Sequence, residues 1–387
     1  MKMPDALIRE EIAKSGAISF ARFMELALYC PETGYYETKK DNVGRHGDFI
    51  TSVSTGSLFG ELLAFQFAEW LGEFTIYDLR FTIAEAGAHD GKLARDILDW
   101  LQAHRPELFA RLEYWIIEPS EIRRGWQKET LTPCSGKVHW ASQLSELGHS
   151  IAENRQRQFS ILFSNELLDA FPVHCFGWDA ARRDWFERGV TWDGGAFQWT
   201  RIAGSGKAPC ADWGKICPPE LEAVLPDGYA VEFSPAAEQW WREAARCLEH
   251  GRLMTIDYGY DFGEMFVPHR RLGTVRAYAG HRQADNVLAN PGRQDLTAHV
   301  NFGAIRRAGE EAGLGTEFFG GQPQFLTRIL QRATTEKCFA NLDGKRVRQF
   351  QTLTHPEHLG RAFRVLVQQR GCMSANCRRI DATHNVA

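Results

Sequence analysis

The sequence predicts an α/β fold built on a doubly wound, mostly parallel sheet, with a helical N-terminal segment and a β-rich insertion. Three observations predict it. Four short apolar runs, at 81–85, 114–117, 159–163 and 252–256, each end in acidic or polar residues. That is the pattern of parallel strands whose carboxyl ends carry a ligand site. The first run passes through a glycine-rich turn, Glu85-Ala-Gly-Ala-His-Asp-Gly91, into a helical pattern at 93–101. Between 174 and 235 the pattern changes to alternating strands, with Asp193-Gly-Gly195 as a hairpin turn.

Taken in order, residues 5–30 read as two short helices. Leu7, Ile8 and Ile12 form an apolar stripe, and Ser19 stands as N-cap for a helix from Phe20 to Leu28. Cys30-Pro-Glu-Thr-Gly34 stops that helix, and the polar segment from Asn42 to Thr51 is a loop. A longer helix follows from Ser57 to Leu71. The four sheet strands come next, ending at Glu85, at Glu118-Pro-Ser120, at Ser164-Asn-Glu-Leu-Leu-Asp169 and at Asp257-Tyr-Gly259. Residues 260–300, rich in Gly, His, Arg and Asn, form a loop-rich segment facing the active site. A closing strand pair is expected at 316–330 and a return to helix at 342–370. The expected units are 1–75 (helical segment and Gly-Asp-Phe loop), 76–173 with 236–372 (the cofactor-binding domain), 174–235 (the insertion, a surface for a partner or substrate) and a tail, 373–387.

Composition narrows the function class. The 387 residues are 44% hydrophobic and 24% charged, as in ordinary globular chains. A net charge of −4 gives no basic footprint for nucleic acid. No stretch approaches the length of a membrane span. The nine cysteines form no Cys-x-x-Cys pair, and Cys210/Cys217 and Cys372/Cys377 lack histidines at zinc-ligand spacing, so no metal site is expected. Reduced thiols and an acidic N-terminus, with Asp5, Glu10 and Glu11, argue for a cytoplasmic protein without a clear transit peptide (matrix, if eukaryotic).

The strand, turn and helix around Glu85–Gly91 make a Rossmann-like nucleotide site. Backbone N–H groups approach the ligand there, and glycines allow close contact. Gly87 and Gly91 supply that freedom, and Glu118, at the end of the second strand, is placed to hold ribose hydroxyls. A nicotinamide dinucleotide competes for such a site. Its fingerprint wants a middle glycine beside the pyrophosphate, where this loop has bulky His89. S-adenosylmethionine has no pyrophosphate, and Glu85 suits its cationic amino-acid tail, so methyl transfer is preferred over hydride transfer.

The chain resembles the MidA-type family of S-adenosylmethionine-dependent methyltransferases, whose members include a mitochondrial complex I assembly factor. The resemblance rests on a series of motifs in order: Gly16–Tyr36, Gly47-Asp-Phe-Ile-Thr-Ser52, Leu58-Phe-Gly60, the 85–91 loop, Ile117-Glu-Pro-Ser120 and Asn165-Glu-Leu-Leu-Asp-Ala-Phe-Pro-Val173. Val231-Glu-Phe-Ser-Pro235, Ile256-Asp-Tyr-Gly259, Gly273-Thr-Val-Arg-Ala-Tyr278 and Asp295-Leu-Thr-Ala-His-Val-Asn-Phe302 continue it. It implies a class I methyltransferase sheet, S-adenosyl-L-methionine as cofactor and a protein acceptor, arginine by analogy with the mitochondrial relative. It also implies that the Gly-Asp-Phe loop belongs to the family core, where Asp48 either closes over the cofactor or stabilises a turn. One departure is plain. The family loop usually reads Glu-x-Gly-Pro-Gly-x-Gly, and Ala88 and His89 replace its Pro and middle Gly.

Methyl transfer needs an aligned acceptor and, for a protonated one, a group to take its proton. Glu166 and Asp169, just past a strand end, are the candidate catalytic carboxylates, with Asn165 beside the cofactor; a helix cap is the plainer role for Asn165 or Glu166. Asp257 and Tyr258 are second candidates. His46, His281 and His299 lie in polar loops, where hydrogen-bonding roles are commoner than catalysis. Trp178, Trp185, Trp192 and Trp199 look exposed and suggest partner anchors, or else the insertion's own core. The alternative to an active enzyme is a catalytically weak scaffold of the same fold that assists assembly of a partner complex.

Overall fold

The computed structural model describes residues 3–38, 51–73, 80–153, 158–202, 209–210, 212–280 and 282–371. Asp48, His46, His281 and the tail from 373 lie outside the described residues.

Helix Pro4–Ser15 begins on a proline and ends at Gly16, whose φ of 79° supplies the left-handed exit. The Ser19 hydroxyl accepts the Arg22 N–H at 3.1 Å and opens helix Phe20–Tyr29. Helix Leu58–Gly72 is apolar nearly all round, and Leu58, Phe59, Leu62, Phe67 and Leu71 are fully buried. Such a helix belongs inside the molecule.

The main sheet runs Gly315–Gly321, Phe363–Arg370, Gly251–Tyr260, Gln158–Asn165, Arg80–Ala86, Leu112–Ile117, Val138–Ala141. From Gly251–Tyr260 to Val138–Ala141 every neighbour is parallel. Phe363–Arg370 is antiparallel to both of its neighbours. Chain order reverses between Arg80–Ala86 and Gln158–Asn165, which leaves a crevice beyond their carboxyl ends. One face packs against helices Leu58–Gly72, Lys92–His104, Gln322–Ala333 and Gly344–Thr354. The other is covered by Leu144–Glu153, Pro235–Arg246 and Phe302–Glu311.

Two expectations change at the closing end of the sheet. Residues 316–330 are not a strand pair: strand Gly315–Gly321 runs into helix Gln322–Ala333, which carries Pro323 in its first turn and buries Phe325, Leu326 and Ile329. Nor is 342–370 all helix, because Gly344–Thr354 gives way to strand Phe363–Arg370. That strand is covered on both faces, with Val365, Leu366 and Val367 all buried, so its apolar run lacks the alternation that marks a strand.

The insertion forms a second sheet that includes the N-terminal segment. Its strands are His174–Asp179, Asp184–Asp193, Ala196–Arg201 and Ala230–Phe233, and Ile18–Ser19 pairs with Asp184–Asp193 through Ile18↔Val190. Gly194 (φ 59°) and Gly195 (φ 85°) form the expected two-residue turn. Strands Arg276–Ala279, Arg282–Gln283 and Asp295–Thr297 form a small sheet, and Ala277, Leu296 and Ala298 join Phe20, Phe23 and Leu28 in one core. Among the described residues no helix is long and apolar enough to cross a membrane.

Candidate active site

A cavity of about 660 Å³ opens at the crevice where chain order reverses. Glu85, Gly87, His89, Glu118, Asn165 and Glu166 are among its lining residues.

Gly87 has φ 73°, and a Cβ there would sit 2.7 Å from Leu167 Cδ1, so both conformation and space require glycine. Gly91 (φ 83°) caps helix Lys92–His104 against Leu131; it shapes the turn without lining the cavity. His89 has φ 46°, so the side chain that replaces the family's glycine sits in the left-handed region a glycine would favour. The Glu85 carboxylate accepts the Tyr114 hydroxyl at 2.6 Å. Burial pushes its acid up to about 8, against the opposing effect of that hydroxyl.

Glu118 is 1% exposed and sits in a polar network. Its Oε1 accepts the Ser120 N–H and pairs with Arg123, both at 2.9 Å, and its Oε2 accepts Gln127 Nε2 at 3.3 Å. The N-terminal segment joins the same network. Glu37 takes the Ser120 hydroxyl at 2.6 Å and lies 3.4 Å from Arg123.

Across the cavity, Glu166 (φ 50°) ends the Gln158–Asn165 strand in a left-handed residue. Its Oε1 accepts the Ser52 N–H at 3.0 Å and Asn165 Nδ2 at 3.1 Å. Burial pushes its carboxyl up to about 8, with the charge of Asp169 acting in the same direction. Asp169 and Asp257 stand behind this wall and do not line the cavity. Asp169 accepts the Tyr258 hydroxyl. Asp257 is 0% exposed, and its Oδ2 accepts the N–H groups of Leu167, Leu168 and Asp169 at 3.2, 2.9 and 3.3 Å. Its Oδ1 takes the Tyr258 N–H at 2.9 Å. This arrangement holds the Glu166–Asp169 turn and uses both Asp257 oxygens on backbone N–H groups. Burial raises the Asp257 acid well above its ordinary range, reinforced by Asp169 and Glu166.

Tyr29 and Tyr36 were not singled out in the sequence, although both fall within the Gly16–Tyr36 motif. They line the cavity with rings 5.7 Å apart, and their hydroxyls donate to Ala170 O at 2.9 Å and Asp295 Oδ1 at 2.7 Å. Arg123 and Trp240 are further lining residues with no local sequence signal. His299 packs beside Tyr258, and burial, aided by Arg270 and Arg276, pushes it down to about 4. It is a neutral imidazole outside the main cavity.

The tryptophans overturn the picture of an exposed row. Trp178 and Trp185 are each 3% exposed, and the indole N–H groups of Trp185 and Trp213 both donate to Glu222 Oε1 at 2.9 Å. Trp199 packs on Phe20, and only Trp192 is exposed. Four tryptophans between 178 and 199 could cover either a partner or each other, and here Trp178 and Trp185 cover each other.

The residues fit an adenosyl amino acid: carboxylates at two strand ends, a glycine approach between them and a buried Asn165 Oδ1 without a hydrogen-bond partner among the described residues. The comparisons with known proteins agree. Residues 62–320 match the model of a family of S-adenosyl-L-methionine-dependent methyltransferases. The mitochondrial protein arginine methyltransferase NDUFAF7 of Danio rerio is 30% identical, covering 79% of this chain and 71% of its own. Its Drosophila melanogaster homologue is 28% identical over 95% of this chain and 85% of its own. A Burkholderia thailandensis crystal structure bound to S-adenosyl-homocysteine superposes with a TM-score of 0.78 at 31% identity, covering 95% and 92% of the two chains. The chain belongs to the MidA-type family of S-adenosyl-L-methionine-dependent methyltransferases.

Proposed function

We propose that this methyltransferase acts on the guanidinium of an arginine side chain in a protein partner, with Glu166 as the residue that receives it. One observation carries the proposal: Glu166 lines the cofactor cavity, backed by Asp169 and Asp257, and none of the three forms an ion pair with Lys or Arg among the described residues. An acidic wall lacking its own cation is suited to a cationic acceptor. The relatives named as protein arginine methyltransferases support the same choice.

S-adenosylmethionine supplies an electrophilic methyl group. In this proposal Glu85, Glu118 and Asn165 orient the cofactor. Glu166 aligns the acceptor nitrogen by hydrogen bonding and takes the proton it loses. Asp169, bonded to Tyr258, keeps negative charge behind Glu166, and Asp257 fixes the turn that carries both. We place the reaction in a reducing compartment, the cytoplasm or a mitochondrial matrix, where the described cysteines remain thiols.

The test is to incubate the enzyme with methyl-deuterated cofactor and lysate and to map the label by mass spectrometry. Label on arginine that disappears with Glu166→Gln supports the proposal. Label confined to other residues or to small molecules overturns it. No transfer at all, with cofactor bound, would favour a scaffold role.

A further inference from the structure

We infer that the exposed face of helix Gly344–Thr354, with Arg361 beyond its end, is a docking surface for acidic residues flanking the acceptor in a protein partner. The inference deepens the reading above and rests on its protein acceptor, because it assigns the chemistry that surrounds the modified side chain.

The helix stands beside the Glu166 end of the cavity. Val53 and Ser54, in the turn Val53–Thr55, line that cavity. A Cβ on the next residue, Gly56, would lie 2.0 Å from Gln349 Nε2, so turn and helix touch there. Arg346 pairs with Glu61, in the first turn of helix Leu58–Gly72. A run of hydrogen bonds reaches Glu166 itself. Its Oε1 accepts Ser52 N–H at 3.0 Å, Ser52 Oγ donates to Gln322 Oε1 at 3.3 Å, and Gln322 Nε2 donates to Leu353 O at 2.9 Å. Arg361 stands at the same end of the sheet, just before strand Phe363–Arg370, whose first residue pairs with Tyr258.

The face so placed is cationic. From 322 to 371 the sequence carries nine Lys or Arg against three Asp or Glu, in a chain whose net charge is −4. Arg332 and Arg364 are spent on Glu69 and Glu264. Lys345, Arg348 and Arg361 are exposed and form no ion pair among the described residues. The acids between 341 and 361 are Glu357 and Asp343, and Asp343 Oδ1 accepts Arg346 N–H at 2.8 Å to open the helix. Val347, 40% exposed, lies among the cations. An apolar contact there suits a protein segment, whereas nucleic acid calls for a larger basic excess than this chain carries. Charge is thus divided by depth: a buried acidic wall for the cationic acceptor, and exposed cations for the acids beside it. Arg348 and Lys345 precede Leu353 by about 7.5 and 12 Å along the helix. At ~3.3 Å per extended residue, acids about three to six positions from the acceptor reach them.

Fluorescence anisotropy of labelled peptides tests this, with the full chain saturated in S-adenosylhomocysteine. One peptide carries a central arginine with Asp and Glu about three to six positions to either side. The other replaces those acids by Asn and Gln. At low salt wild type should bind the acidic peptide about fivefold more tightly, the effect of two exposed ion pairs. The preference should fade at about 0.3 M salt. A Lys345→Gln, Arg348→Gln, Arg361→Gln variant should lose the preference while keeping the wild-type melting temperature and affinity for S-adenosylhomocysteine. Equal binding of both peptides by wild type, or a preference kept by the variant, would overturn the inference. Single-stranded RNA bound more tightly than the acidic peptide, and lost in the same variant, would overturn it by assigning the face to nucleic acid. An acidic peptide with glutamine in place of the arginine separates the two readings. If the preference survives that change and lysate labelling finds no methylarginine, the arginine acceptor falls and the docking surface stands.

Discussion

Glu166 and His89 line the same cavity, and both have a positive φ that their side chains do not favour. The free-enzyme acid of Glu166 lies near 8, so below that pH it is neutral and can neither hold a cation nor take its proton. Wild-type kcat/KM should therefore rise from about pH 6.5 to 8.5, a profile set by free-enzyme groups. Glu166→Gln should abolish that rise and lower kcat by about a hundredfold, a typical loss for a general base. Its affinity for S-adenosylhomocysteine should stay within about twofold; a larger loss would assign Glu166 to the cofactor instead. Gly87→Ala should weaken cofactor binding at least tenfold and cost about 1–3 kcal/mol of stability, as overpacking does. Calorimetry and urea melts check both. At this scale the sequence was informative wherever a residue ends a strand, which is how Glu85, Glu118 and Glu166 were found. It was silent on Tyr29, Tyr36 and Arg123, because a cavity wall assembled from distant segments has no local period.

The same logic holds for elements. The strands beginning the sheet were legible because each ends in a polar break. Phe363–Arg370 was not, since a strand covered on both faces and a short buried helix share one apolar composition. Asp257 shows what a carboxylate near a strand end can do from behind the cavity wall: it gathers the first N–H groups of the turn that follows the neighbouring strand, Gln158–Asn165. Asp257→Ala should destabilise the protein by about 3 kcal/mol, because several buried donors lose their acceptor. Asp257→Asn, which keeps one acceptor, should cost roughly half as much, and urea unfolding separates the two. In the insertion, Trp213→Ala should cost about 3–5 kcal/mol, and exposed Trp192→Ala less than about 0.5 kcal/mol. Equal effects would mean that the tryptophan cluster is not the core of that element.

For the whole molecule, buried acids set the pH dependence of stability. Glu85 and Glu166 have folded-state pKa values near 8, above those of an unfolded chain. The folded state therefore holds more protons between about pH 4.5 and 8, and stability in the absence of ligand should fall as pH rises through that window. Thermal melts from pH 5 to 8.5 should show the fall, and a Glu85→Gln, Glu166→Gln double variant should flatten it; an unchanged slope would assign the effect elsewhere. The parallel strands and the ligand site beyond their carboxyl ends followed from sequence, since strand–helix alternation limits the topologies available; the order of the strands did not. The union of the N-terminal segment with the insertion did not, because a two-residue strand carries almost no signal.

That union has a consequence for how the chain is made. Ile18 finds its partner only at Val190. As the polypeptide leaves the ribosome, its first two helices must wait, with apolar faces uncovered, until the Asp184–Asp193 strand has emerged. Pairings so distant in sequence form late and slowly. The amino terminus, first to be synthesised, is thus among the last parts to settle, and nascent chains cut short before the hairpin should be the species that chaperones capture.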